Sequence, residues 1–498
     1  MNAMRLTILA SALLVTGAAM AQDSYDAAEL AAKDLNGTAR YVGMGGALGA
    51  LGGDVSVMGT NPAGTALFRK TYATVTMSGV FGPKGQLGHD GSRMSIDNTG
   101  IIIAMPTEDA GSMKYLNFGI NYSKSRNYLG NYNTDIDNLG GLFSQTFQVA
   151  QLATQALGAN DFGLLADMSA PLYDENGMLV KDAIVGEVFD DDGNLTGYEG
   201  IPASAANYQR STYGSQSQVD MNFSINLLDK YFVGASVGVY DVNYNRESFY
   251  QELGIDGNYY DFSNWYATDG TGIDLKLGFI CRPIDDSPFR FGFNVNTPTW
   301  YRLEDVNGSM LYMNDSQIDN QSTEPYEYNY RTPWKFGVST GYTVGNYFAI
   351  GAEYEYQDLS TGKYNEHGHE TSYFITQNQF IKDNLKAQHT FKIGLEVKPT
   401  SAFCMRAGYN YVSAPMKKDA YRIIAYNSPF TETDFTNWKD TNRFTFGLGY
   451  RYNGGYIDLA YQYSTQKGDF YAFDEIDLKP TEIENNRSQL MCTFGFRF

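Results

Sequence analysis

The chain has 498 residues, a formal net charge of −20, 39 Tyr and 30 Phe, yet only 18% charged side chains. That acidity excludes a nucleic-acid partner, whose phosphates require a basic face, and the aromatic content excludes a disordered chain. The low charge also sets it apart from a typical soluble domain, in which charged residues make up about 25%.

Arg5 precedes an apolar run over 6–15, and Ala19-Met20-Ala21 supplies a small-x-small cleavage pattern before Gln22, so residues 1–21 read as a secretory signal peptide. The absence of Cys near the cut argues against a lipid anchor. Beyond it no run of about 18 apolar residues offers a spanning helix. The stretch 24–33, SYDAAELAAK, predicts a short helix.

Residues 36–68 are rich in Gly and Ala and almost uncharged. Their glycines disfavour both helix and strand by roughly 0.5–1 kcal/mol each relative to Ala. Small side chains allow tight folding in a confined space, so residues 22–70 are expected to be a plug, with 71–498 the wall around it. Gly43, Gly45 and Gly46 are read as tight-turn positions, and Asn61-Pro62-Ala63-Gly64 as the joint between plug and wall. There Asn61 caps or braces a turn that Pro62 rigidifies.

From Tyr72 onward the pattern has period two. Phe391, Ile393, Leu395 and Val397 alternate with Lys392, Gly394 and Glu396, and Phe444, Phe446, Leu448 and Tyr450 with Thr445, Gly447, Gly449 and Arg451. Such alternation predicts strands with one apolar and one polar face. Segments of this kind cover 72–81, 93–105, 114–128, 208–228, 231–245, 271–281, 289–299, 333–343, 347–357, 388–398, 402–412, 442–452, 455–465 and 488–498. Short turns alternate with long polar loops at 129–207, 246–270, 300–332, 358–387, 413–441 and 466–487.

An even number of about fourteen strands, short turns at one end and long loops at the other predict an all-β fold, a transmembrane antiparallel β-barrel. A soluble β-sandwich also alternates. Against it stand Tyr354, Tyr356, Tyr409, Tyr411, Tyr461 and Tyr463 near strand ends, where interfacial girdles sit. Leu490, Cys492, Phe494, Phe496 and Phe498 form a final alternating row resembling the signal read by the outer-membrane barrel-assembly machinery.

The first long loop holds GLFSQTFQVAQLATQALGANDFGLL over 141–165, with Phe143, Phe147, Ala150, Ala153 and Leu157 at helical spacing. An uncharged helix there either packs on the barrel rim or captures a ligand. Asp190-Asp191-Asp192-Gly193 reads as a hairpin turn, since its spacing fails the calcium-loop pattern.

Asn61-Pro62-Ala63-Gly64, preceded by Gly45-Gly46 and Gly53-Asp54, resembles the motif of the FadL/TodX family of outer-membrane transporters for hydrophobic compounds. The resemblance implies a fourteen-strand barrel, an N-terminal hatch inside the lumen, and passive uptake of long-chain fatty acids or similar lipophiles, which leave sideways through the wall. It covers residues 36–70 and the C-terminus, and elsewhere is architectural.

Enzyme signatures are thin. His367-Gly368-His369-Glu370 lacks zinc-protease spacing, and His389 starts a strand without an evident partner. Cys281, Cys404 and Cys492 are far apart and read as packed side chains. The expectation is a monomer without metal or cofactor, meeting outer-membrane lipid and lipopolysaccharide as well as its hydrophobic ligand. A hydrophilic porin or a surface adhesin is the competing function.

Overall fold

The structure, a computed structural model, describes residues 22–85, 87–107, 111–157, 172–173, 179–181, 184–313, 316–322, 324–366, 368, 371–424, 431–475 and 477–498. The expected signal peptide, His367 and His369 lie outside them, as do residues 158–165 of the expected loop helix.

In chain order come α1 (Ser24–Ala31), α2 (Ala39–Gly43), 3-10 turns at Val55–Gly59 and Pro62–Leu67, β1 (Tyr72–Phe81), β2 (Ser92–Pro106), β3 (Met113–Asn127), β4 (Gly130–Ile136) and α3 (Gln145–Ala156). Then follow β5 (Leu172–Tyr173), β6 (Leu179–Lys181), β7 (Gly186–Phe189), β8 (Leu195–Glu199), β9 (Ala203–Leu227), β10 (Tyr231–Gly254), β11 (Tyr259–Cys281), β12 (Arg290–Asn296) and β13 (Trp300–Met313). Next are β14 (Ser316–Ser322), β15 (Tyr326–Arg331), β16 (Lys335–Val344), β17 (Phe348–Asp358), β18 (Lys363–Asn365) and α4 (Ser372–Asn384). The chain ends with β19 (Ala387–Val397), β20 (Phe403–Val412), β21 (Phe435–Tyr452), β22 (Gly455–Tyr471) and β23 (Thr481–Arg497).

These strands build a closed antiparallel barrel of fourteen staves. The pairs β3 and β4, β12 and β13, β15 and β16, and β17 and β18 each act as one interrupted stave. Closure is by β1 against β23, from Tyr72 opposite Arg497 to Phe81 opposite Ser488. Phe498 N–H donates to Thr71 O at 3.0 Å, so wall start and chain end meet at the short-turn rim. There Asn453 and Gly454, both with positive φ, make the two-residue turn between β21 and β22.

The side chains face the way a membrane barrel requires. Phe391 is 50% and Ile393 48% exposed on the outside, while Lys392 between them is buried in the lumen. Leaving even twenty such half-exposed apolar groups in water would forgo about 15–30 kcal/mol of burial. That exceeds the ~5–15 kcal/mol by which a folded domain is stable, so lipid must cover this face. A sandwich would have buried it.

Several of the expected long loops are instead strand. The turn between β10 and β11 is only 255–258, and β13, β14 and β15 fill most of 300–332. The reason is a change of chemistry along the stave. On β10, Val233, Val237 and Val239 face outward low down, but higher up Val242, Tyr244 and Tyr250 point inward and Asp241, Asn243 and Gln251 outward. The strand continues while its polar and apolar faces exchange, and an outward-apolar pattern no longer marks it.

Inside the upper barrel α3 sits in an apolar cluster with Ile136, Tyr250, Tyr260, Phe262 and Phe470. Its buried apolar face is Val149, Ala150, Leu152, Ala153 and Ala156; Ala150 and Ala153 of the expected face lie in it, while Phe147 and Leu157 are turned partly outward. A second cluster joins α1, α4 and the inner tyrosines Tyr240, Tyr301, Tyr330 and Tyr364.

Candidate functional site

The N-terminal segment is capped turn by turn by its own polar side chains. Asp23 accepts from Tyr25 N–H (2.7 Å) and Asp26 N–H (3.0 Å), Thr38 caps α2, and Asp54 caps the first 3-10 turn. Asn61 caps the second turn, its Oδ1 accepting from Ala63 N–H at 3.2 Å. Its Nδ2 donates to Gly49 O at 3.0 Å, and the whole side chain is buried. Pro62 holds the first position of that turn, where a missing N–H has no intrahelical partner to lose.

Gly45 (φ +61°) and Gly46 (φ +79°) make the left-handed turn expected of them. Gly43 does not turn: it ends α2, and a Cβ there would lie 3.2 Å from Gly447 Cα of the wall. Gly64 packs against Val57 and Gly52, and Ala63 is buried with Ala66, Phe232 and Ile280.

The seat for this segment is a belt of wall glycines. A Cβ on Gly278 would stand 2.1 Å from Asn61 Oδ1, on Gly234 2.4 Å from the Pro62 carbonyl, on Gly351 2.1 Å from Ala47 O, on Gly394 2.2 Å from Met44 O and on Gly408 2.2 Å from Gly45 N. The belt is in register across neighbouring staves. Gly234 pairs with Gly278, and Gly341, Gly351, Gly394 and Gly408 pair in succession. The strand pattern already carried these glycines on its polar face; only the register shows that they line up as two arcs along neighbouring staves.

Polar anchors complete the seat. Gly49 N–H donates to Glu353 Oε2 at 3.0 Å, Asn117 Nδ2 to Thr65 O at 2.7 Å and Ala39 N–H to Thr493 Oγ1 at 2.8 Å. Arg40 meets Glu396 at 3.2 Å, and Glu396 is shared with buried Arg406 at 2.7 Å, which reaches Asp458 at 2.9 Å.

Above the seat lies a cavity of about 200 Å³ between α1, the upper staves and residues 33–34. It reaches an interruption in the strand ladder. β1 ends at Phe81, so residues 481–487 of β23 have no β1 partner, and β2 parts from β3 beyond Asn98, so residues 124–127 of β3 have no β2 partner. Side chains bridge it: Arg487 Nη1 donates to Asn127 O at 2.7 Å and Asn131 Nδ2 to Pro83 O at 3.1 Å. Asn131 and Tyr132 line the cavity from one margin, Glu484, Asn485 and Arg487 from the other. The segment fastens the β3 margin: Asp34 N–H donates to Ser125 O at 2.8 Å and Asn127 N–H to Asp34 Oδ2 at 2.9 Å.

The remaining candidates lie elsewhere. Phe143 packs against the upper cluster; Phe147 is half-buried against Gly200, and Leu157 is half-buried at the helix end. His389 Nδ1 is 2.8 Å from Tyr354 OH, an aromatic pair on the outer face. Asp190 accepts from Asp192 and Asn194 N–H in the β7–β8 turn, as turn chemistry requires. Cys404 is buried, and Cys281 and Cys492 are half-buried. Among the described residues no three His, Cys, Asp or Glu side chains cluster as a metal site.

No protein-family model and no curated protein sequence matches the chain. Among solved structures it is similar to the CymD monoaromatic hydrocarbon channel, with a TM-score of 0.52 at 11% identity over 94% of this chain and 99% of that one. It is also similar to the toluene transporter TodX of P. putida, with a TM-score of 0.51 at 13% identity over 93% and 99% of the two chains. At such identity the likeness is one of fold, and it spans nearly the whole of each molecule. Fold and wall chemistry together define an outer-membrane β-barrel of the Gram-negative kind.

Proposed function

We propose that the protein carries hydrophobic compounds passively across the outer membrane, with residues 22–70 as a hatch that closes the straight path and the interruption above the β1–β2 hairpin as the sideways route. The observation that carries this reading is a lumen filled by its own N-terminal segment beside an interruption of the strand ladder to which the adjoining cavity leads. A hydrophilic porin has no use for such a filling.

Lipopolysaccharide resists apolar solutes, and the interruption lies at the outer edge of the apolar band, where Phe81 and Met94 are exposed. A ligand leaving there enters hydrocarbon without crossing the polar lumen below. The structures sharing the fold are a monoaromatic hydrocarbon channel and a toluene transporter. Small aromatics therefore stand beside long-chain fatty acids as ligand classes. Phe147 and Leu157 are the outer contact a ligand meets first, and Phe498, 73% exposed at the end of the last stave, is the residue offered to the assembly machinery.

The test is uptake of labelled toluene and labelled oleate by host cells lacking their own transporter, with and without this protein. Stimulation of either compound supports the reading. No stimulation of either, with insertion verified, overturns it in favour of a surface-binding role.

A further inference from the structure

The cavity above the seat is built for charge as well as for rings. Seven cationic side chains line it against five carboxylates. Three of its arginines gather round two carboxylates of the N-terminal segment. Arg126 takes Glu29 through two nitrogens, at 2.5 and 3.1 Å. Arg487 Nη2 lies 3.0 Å from Asp34 Oδ1, and Arg443 Nη2 only reaches the same oxygen at 3.8 Å.

Arg443 is 7% exposed, donates through Nη1 to Asn410 Oδ1 at 2.9 Å, and its Nε has no hydrogen-bond partner among the described residues. A buried guanidinium short of acceptors is expensive, and its planar fork matches a carboxylate held by two nitrogens. Burial alone would push the Asp34 carboxyl up, but Arg487, Arg126 and Arg443 outweigh it and hold it down at about 2. Asp34 is thus a resident anion in a site that has room for a better one.

Aromatic rings also line it, among neutral polar side chains such as Gln388, Thr441 and Gln466. Tyr25 and Phe435 stand 5.6 Å apart between ring centroids, and Tyr128, Tyr132, Tyr244 and Trp438 belong to the same lining. At about 200 Å³ the space is smaller than the ~300–1,000 Å³ of pockets for drug-sized ligands. It suits a compact ring system better than a long acyl chain. A neutral hydrocarbon would fill the space and leave Arg443 unsatisfied.

We propose that this cavity binds a compact aromatic carboxylate, whose carboxylate takes Arg443 and Arg487 in exchange for Asp34. The inference rests on the transporter reading and narrows its ligand. It also couples binding to the hatch. Asp34 Oδ2 accepts from Asn127 N–H at the β3 margin, so its displacement unfastens the segment where the ladder is interrupted.

The test is calorimetric titration of the purified full-length protein with 2-naphthoate, its neutral counterpart 2-naphthalenemethanol, and dodecanoate. The expected result is 2-naphthoate at least about tenfold tighter than either of the others, tenfold being ~1.4 kcal/mol. Arg443→Met should bring 2-naphthoate down to the level of the alcohol. Asp34→Asn should tighten 2-naphthoate and leave the alcohol unchanged, a gain that misfolding cannot imitate. Equal affinity for acid and alcohol, or an Asp34→Asn variant with unaltered 2-naphthoate affinity, overturns the proposal; equal binding of dodecanoate overturns its aromatic part. If toluene uptake is stimulated without this preference, the transporter reading stands and the site fails. If the preference is present and no lipophile is taken up, the site stands and the transporter reading fails.

Discussion

Single residues of the joint hold the hatch in place. Asn61 alone caps a turn and braces residue 49, both under complete burial. Asn61→Ala with Pro62→Ala leaves the Gly49 carbonyl without its donor and should cost about 1–3 kcal/mol locally. The expected outcome is a rise in ion conductance across planar bilayers; conductance equal to that of the wild type counts against a bracing role. Glu396 binds the hatch through Arg40 and the wall through Arg406. Removing one member of such a buried pair typically costs about 3–5 kcal/mol, so Glu396→Gln should release α2 to proteolysis in the folded barrel. Lys33 adds a pH dependence. Burial, opposed by Asp274, lowers it from 10.5 to about 7. Between those values the unfolded chain binds more protons than the folded one, so stability rises with pH across that window and is lost as pH falls towards 7. Lys33→Met should flatten that slope in denaturant titrations taken at pH 7 and pH 9, and an unchanged slope would exclude Lys33 as its source. Of these residues Asn61 and Pro62 were legible as a motif. Glu396, Lys33 and Asp34 were not, because the contacts that join hatch to wall link residues far apart in the chain, such as Arg40 with Glu396 and Asp34 with Arg487, and nothing local marks them.

Elements carry the fit between hatch and wall. Gly394 stands mid-stave in β19 with a hatch carbonyl where its Cβ would be. Gly394→Val should unseat residues 43–46 while sparing the β19–β20 ladder, read out as raised conductance from a barrel that still assembles; normal conductance would mean that the belt is not a seat. The strands themselves were readable wherever the apolar face meets lipid, since the outward row of Phe391, Ile393 and Leu395 has no other purpose. Their upper parts were not, because on β10 and β11 inward Tyr250 and Phe262 replace outward Val and Leu, and the pattern inverts at the water line. The phase of α3 was misjudged for a related reason. Its six apolar positions circle most of the helix, and Ala150 and Ala153 fit either face.

At the scale of the whole molecule, the closed wall, the filled lumen and the lateral interruption form one device. On the proposed reading it refuses small hydrophilic solutes and admits lipophiles, whereas a porin does the first poorly and a sealed surface protein does only the first. The stave number and the plug were legible from period and composition. The interruption of the ladder was not, because it arises where β1 stops at Phe81 and β2 parts from β3 beyond Asn98, which no local pattern marks. The most direct measurement is the paired permeability of transporter-deficient host cells to labelled toluene and to a hydrophilic solute of similar size, with and without the protein. A hatch-closed lateral transporter predicts accelerated toluene entry with hydrophilic permeability unchanged. Accelerated entry of the hydrophilic solute, or no change in toluene entry with the barrel correctly inserted, would contradict it.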